Sequence, residues 1–513
     1  MTHWGRGPSA GTSSRPAPTP KNLTSAPRAL GATAILAFVL LVSASSDLAA
    51  QGVRGWVGTT VQMVELRPLG LDTVPRSEVL TDADGRFLYQ GQRVSCVAGD
   101  LCTGYLALAK DRVIAATQDV SLTAWGFGVQ GLSFTTLLRG RAHGGSDLLW
   151  PRSDDAFDML LGYAQLRRGP WKVRAGRQEV RSGLGFPAFD GGSVAFTATQ
   201  FQVEAYGGRS LARGLREPSA DALRGLGDFF FDESSYLFGG SARGRVFGST
   251  VTARYQREIL ADRSSLVGER ASVDFVTVLP HARVSGSADY DFSFEQWGKS
   301  HLTLSMPLAD GHWLVEATAR RYMPYFQLNT IWGFFEPVAY SEGELRANWS
   351  ARPNFGMWAS GGYRSYGDTH TTKVFERLTD HGWRANAGAL WQPTTDWTVD
   401  ASYRLEWGPG GFLNSGDVSV RYQPTEDLSV SASGSTFQQI DEFRVGEGRA
   451  VGGGLSFDWR VLDRASLTGG FSVLRHRDGG NVFTSPWNQN RAWTSLKIDV
   501  GEDPGLANRR SGR

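Results

Sequence analysis

The chain has 513 residues and a formal net charge of +2, so nothing in its charge pushes it toward nucleic acid. Its 63 Gly, 17 Trp, 28 Phe and 14 Tyr make it glycine- and aromatic-rich. Its mean hydropathy is negative, which excludes a bundle of membrane-spanning helices.

One long apolar run exists, LGATAILAFVLLVSA at 30–44, which follows Lys21 and Arg28 and leads into SSDLAAQG. Basic flank, apolar core and small residues in that order predict a secretory signal over residues 1–50, cut near Ala50. A single membrane anchor is the alternative, and no Cys follows the run to carry a lipid. Export makes the two cysteines, Cys96 and Cys102 in VSCVAGDLCTG, an expected disulfide rather than a metal pair.

Residues 53–91 hold two alternating runs and then TDADGRFLY, where Asp84-Gly85 between strand-like segments signals a hairpin. Asp82 and Asp84 lack the further oxygen ligands and closing Glu of a calcium loop. This layout resembles the carboxypeptidase-regulatory-like (transthyretin-like) β-sandwich. The resemblance implies a small β-sandwich over 52–117, which the export reading places in the periplasm.

From there to Val500 one pattern recurs. In DWTVDASYRLEW (396–407) the odd positions from Trp397 to Trp407 are apolar and the even ones polar. A period of two means a strand with one apolar and one polar face. VTARYQR, ARVSGSADYDF, WLVEATAR, ELRANW, VSVRYQ and LSFDWRV repeat it. Their polar faces carry Arg254, Arg283, Asp289, Glu316, Arg320, Glu344, Arg346, Asp400, Arg404, Glu406, Arg421, Asp458 and Arg460.

Links between runs alternate between short and long. Short ones fall at 168–170, 246–249, 279–281, 308–311, 351–354, 392–395, 423–427 and 461–464, with a ninth near Thr199; long ones include 208–235 and 322–340. Short turns on one rim and long loops on the other are the bacterial outer-membrane pattern, with the short turns periplasmic. Nine hairpins plus a strand at each end predict an all-β transmembrane antiparallel barrel of about 20 strands over 118–501, with 18 or 22 as alternatives, and a periplasmic tail at 502–513. The count becomes about 22 if SLTAWGFGVQGLSFTTLLRGR (121–141) is itself a hairpin and residues 103–117 supply a further strand. Trp and Tyr at run ends match interfacial belts, so the apolar face meets lipid and the thirteen charged residues above line the lumen. Around residue 171, RAGRQ (174–178) followed by FDG (189–191) resembles a hairpin of porin-like barrels such as the alginate-export family, which implies passage of a solute without naming it.

No Gly-x-Ser-x-Gly elbow or His-Glu-x-x-His occurs, and the eight His lack ligand spacing. Gly298-Lys299-Ser300 resembles the end of a P-loop, but Ser293 stands where its first Gly belongs. No catalytic residue, metal or cofactor is therefore expected. The leading expectation is a Gram-negative outer-membrane pore for small solutes. The rival is a structural conduit or anchor for a secretion or electron-transfer protein, and a barrel enzyme is the weakest alternative. Expected partners are outer-membrane lipid, the barrel-assembly machinery and, for the conduit, a periplasmic or extracellular protein.

Overall fold

The computed structural model describes residues 52–501 except 68, 82–84, 90–91, 97–98, 108, 145–155, 181–182, 186, 212–233, 262–263, 310, 324–338, 368–379, 409–410, 440–447 and 479–486. The segments expected as signal (1–50) and tail (502–513), and most of the loops at 208–235 and 322–340, lie outside the described residues. Within them the chain forms a closed antiparallel barrel of 22 strands, and no α-helix occurs. Barrel strands run from 9 residues (Trp171–Glu179) to 15 (Gly52–Leu66), the length a tilted spanning strand needs. Closure leaves no open edge, so every wall strand finds partners on both sides, as lipid demands.

All nine expected short turns are present. A tenth, at 126–131, splits the run SLTAWGFGVQGLSFTTLLRGR into the strands Asp111–Trp125 and Leu132–Gly144. Gly126, Gly128 and Gly131 have φ of 89°, 75° and 82°, a region other residues rarely enter. They turn the chain back where unbroken alternation implied one long strand. That turn adds one strand and Gly52–Leu66 a second, so the barrel has 22, the alternative count, rather than 20.

The second difference is larger. Gly52–Leu66, read as sandwich, is the first wall strand. It pairs with the last strand, Trp487–Gly501, in the register Thr59↔Leu496, and with Asp111–Trp125 in the register Thr59↔Gln118. Period-two alternation is the same in a sandwich and a barrel wall; the choice is made by the last strand, which needs a partner to close the ring. The barrel thus begins at residue 52, not 118. Glu65 helps lock this seam: it is 3% exposed, and Lys110 Nζ (2.7 Å), Arg112 Nη2 (3.2 Å) and Asn490 Nδ2 (2.7 Å) all donate to it.

What remains of the expected sandwich is a small module between Leu66 and Asp111. Leu69–Pro75 pairs with Leu101–Ala107, and Leu80–Thr81, Phe87–Tyr89 and Gln92–Arg93 form a second sheet. The Thr81↔Phe87 pair confirms the hairpin expected at TDADGRF. Val74, Val94, Cys102 and Leu106 make its core, and Cys96 and Cys102 form the expected disulfide. Because Leu66 and Asp111 both end at the rim of the long loops, the module sits on that rim and not on the short-turn side. The expectation put it on the same side as the short turns; it lies on the other because the strand leading into it crosses the wall first.

Candidate functional site

Side-chain parity sorts each wall strand into two faces. On Trp397–Gly408, Trp397, Tyr403 and Trp407 are 40%, 48% and 51% exposed on the outer wall, while Arg404 and Glu406 lie on the other side. Outer rows of aromatics cross several strands. Trp313 stacks on Trp349 with centroids 5.6 Å apart toward the short turns, and Tyr363 meets Trp383 at 4.7 Å toward the long loops. Such paired belts mark the two membrane interfaces.

The densest set of inward charges spans the strands Trp313–Tyr322, Tyr340–Arg352, Phe355–Tyr366, His381–Thr394 and Trp397–Gly408. Glu342 sits at its centre with a side chain of zero exposure. Arg364 Nε donates to it at 2.7 Å, Arg384 also binds it, and Arg320 Nε lies 3.9 Å away. Arg384 Nη2 reaches Glu344 at 2.5 Å, and Arg320 binds Glu344 as well. Arg364 continues to Glu406, which Arg404 Nη2 meets at 2.5 Å. Four guanidinium groups thus face three carboxylates, leaving one positive charge in excess.

Planar, always-charged guanidinium forks suit such shared pairs, since one fork can hold two carboxylates, as Arg364 holds Glu342 and Glu406 and Arg384 holds Glu342 and Glu344. Above the set, toward the long loops, Tyr322, Tyr340 and Tyr366 follow one another at centroid distances of 5.4 and 5.6 Å. Arg364 lies over the Tyr340 ring at 4.8 Å, a cation–π contact. Lower down, Arg346 lies over Trp358 at 4.3 Å and donates to Asn348, while Glu316 accepts from Ser305 and Asn348.

The belt continues along the wall. Arg254 pairs with Asp274, Arg270 with Asp289, and Ser287 Oγ is 2.7 Å from His301 Nδ1. Across the seam, Arg139 grips both oxygens of Asp119 at 2.6 and 2.9 Å. One sector is apolar instead. Val180, Phe189, Tyr206 and Leu237 form a buried cluster, with Phe189 stacked on Tyr206. A few residues after Val180, the Leu184 carbonyl accepts from Arg270 Nη1 at 3.2 Å.

The thirteen residues singled out by parity therefore divide. Arg254, Asp289, Glu316, Arg320, Glu344, Arg346, Arg404 and Glu406 belong to this paired belt. Arg283 and Asp400 share its face. Arg421, Asp458 and Arg460 line an open polar hollow at the short-turn rim, where Arg460 lies 3.4 Å from an exposed Asp427. Parity missed Glu342, Arg364, Arg384, Arg270 and Asp274. Each was legible: Glu342 precedes Glu344 by two on one face, and Arg364 and Arg384 each follow an outward aromatic, Tyr363 and Trp383. The RAGRQ and FDG segments do form one hairpin, joined by Arg177 donating to both oxygens of Asp190 at 2.8 Å. Among the described residues no group of three or more His, Cys, Asp and Glu is placed to hold a metal.

No family model matches the chain, and no curated protein matches it in sequence. Solved structures do. The siderophore receptor PirA from Pseudomonas aeruginosa is similar over 87% of this chain and 80% of its own, at 13% identity and a TM-score of 0.50. A BenF-like porin from Pseudomonas fluorescens Pf-5 is similar over 88% and 100%, at 9% identity and a TM-score of 0.40. Acinetobacter baumannii OccAB3 is similar over 87% and 99%, at 9% identity and a TM-score of 0.36. At 13% identity the likeness to PirA is one of architecture, and with the closed wall and its aromatic belts it makes this chain a 22-stranded β-barrel of the outer-membrane fold type.

Proposed function

We propose that the protein is a passage for small polar solutes across the bacterial outer membrane, screening them by charge and size. The observation that carries this reading is the inward belt of shared ion pairs from Arg254 round to Glu406. Facing rows of opposite charge in a low-dielectric wall set a local field that orders water and favours solutes able to match it. A wall built for packing alone would place apolar side chains there. In this reading the outer wall faces lipid, the short turns face the periplasm and the strands are inserted by the barrel-assembly machinery. Purified full-length protein in a planar bilayer should give discrete conductance steps without any added partner.

Strand number favours a second reading. Barrels of 16–18 strands already leave an aqueous channel, and 22-stranded transporters have a plugged lumen. A barrel this wide suits an occupant, so a protein threaded through or seated in the lumen is the alternative. Co-purification of one stoichiometric partner, with no steady conductance from the barrel alone, would support it and overturn the first reading.

A further inference from the structure

The outer wall is not uniform round its upper rim. Toward the long loops, Tyr363, Trp383, Trp407 and Phe412 stand exposed on the outward face of successive strands. On Gly448–Leu462, Ala465–Asp478, Trp487–Gly501, Gly52–Leu66 and Asp111–Trp125, no described aromatic takes those positions. Exposed Arg449, Arg475, Asn488 and Arg112 occupy the sector instead, with Lys110 just before the last strand. Parity fixes their direction. Arg449 shares its row with exposed Val451 and Leu455, Arg475 with Val473 and exposed Phe471, and Arg112 with exposed Ile114. Two residues along a strand cover about 7 Å, so each arginine sits one step above an apolar side chain of the outer wall.

Elsewhere on the upper outer wall, opposite charges meet in pairs. Arg177 donates to both oxygens of Asp190 at 2.8 Å, and Arg257 lies 3.8 Å from Glu269. In this sector the charges do not balance. Glu65 holds Lys110 and Arg112, and these five strands set no other described acid on the outward face. Arg449 has only Thr436 Oγ1, 3.4 Å from two of its nitrogens. Arg475 has no partner among the described residues. Four cations thus face one acid. An arginine beside hydrocarbon is costly without a counter-charge, and phosphate is the anion its planar fork fits best.

We propose that this sector is a binding surface for a phosphate-bearing lipid in the leaflet on the long-loop side. Phosphate oxygens accept from Arg449 and Arg475, with Arg112 beside them, and the acyl chains lie along Val451, Leu455 and Phe471. The complementarity is double: anionic head against the cations, apolar chains against the row below. Clustered cations at a membrane surface add about 1 kcal/mol each toward anionic lipid. The proposal needs the outer wall to face lipid but no solute to pass, so it holds whether or not the barrel conducts.

The experiment is native mass spectrometry of the detergent-purified full chain, titrated with dioleoyl phosphatidic acid or dioleoyl phosphatidylcholine. The two have the same chains, but choline caps and neutralises the second phosphate. Phosphatidic acid should be retained saturably and at least about tenfold more tightly, the difference expected for one charged hydrogen bond. Replacing both arginines, Arg449→Gln with Arg475→Gln, should remove that preference and leave phosphatidylcholine unchanged. Arg475→Gln alone, which breaks no contact among the described residues, should weaken phosphatidic acid severalfold. Arg321→Gln, at an exposed outward arginine on Trp313–Tyr322, should change neither lipid. Equal retention of the two lipids would overturn the proposal, as would an unchanged preference in the Arg475→Gln chain. A loss as large from Arg321→Gln would overturn it by showing that any outward cation serves. Displacement of phosphatidic acid by equimolar inorganic phosphate would overturn it in favour of a site for the free anion.

Discussion

The two ends of the lumen carry similar residues in different states. Toward the long loops, Glu342 has no exposed side chain and is shared among several guanidinium groups, whereas toward the short turns Arg460 and Asp427 are 60% and 54% exposed. Both sets sit on the polar face of alternating strands. What separates them is company. On the upper wall five successive strands each contribute a charge at the same height, so the groups pack, desolvate and fix one another. At the lower rim the charges stand beside turns and water. Parity along one strand tells which way a side chain points, and only its neighbours tell whether it is held.

The contrast can be broken most severely at its centre. Glu342→Ala leaves Arg364, Arg384 and Arg320 facing a gap, with Glu344 and Glu406 as partial substitutes, and should cost about 3 kcal/mol, the lower end for breaking a buried pair. Urea unfolding followed by the shift between folded and unfolded forms on a gel measures it. A loss below about 1 kcal/mol would mean that the upper set is as loosely held as the lower.

Next in size is the outer wall. Ala387 and Ala401 lie between the aromatic belts, and Arg at either should hinder insertion by about 2–4 kcal/mol near the midplane. The same readout on Asp400→Ala, on the opposite face of the same strand, should show no comparable loss. Equal damage from both would mean that the apolar face does not meet lipid.

Third comes the rim module. Replacing Cys96 and Cys102 by Ser opens a short loop and should destabilise the module by about 2 kcal/mol on the loop-entropy model, leaving the barrel assembled. Trypsin cleavage within residues 67–110, with the wall protected, is the expected pattern; loss of the barrel itself would show that the module supports the seam at Glu65. The smallest effect belongs to Arg460→Ala, an exposed pair worth less than about 1 kcal/mol.

The wall was largely legible from sequence because period-two alternation, ten or so residues at a time, leaves few other folds open. Its misreadings have physical causes. Residues 52–66 alternate as well as any strand, but their assignment depended on closure with a strand more than four hundred positions later in the chain. The break at 126–131 was hidden because glycine is scored as neutral in an alternating run, whereas its value there is access to positive φ. The site was half legible for a related reason. Glu344 and Arg320 were visible as polar-face charges, but nothing in the alternation shows that Glu342 would be the residue that Arg320, Arg364 and Arg384 share. The bulge at Gly298-Lys299 shows in the sequence only as a short string, since an inserted residue becomes visible only against the register of its partner strand.

In the proposed passage the upper ion-paired belt, rather than the lower rim, governs what passes. Reversal potentials across a planar bilayer under a tenfold KCl gradient test it most directly, comparing Arg384→Ala with Arg460→Ala. Removing a cation from the belt should move the reversal potential clearly toward cation preference, while the rim substitution should leave it within error of the unmodified protein. Equal shifts from the two substitutions, or a larger one from Arg460→Ala, would contradict the claim.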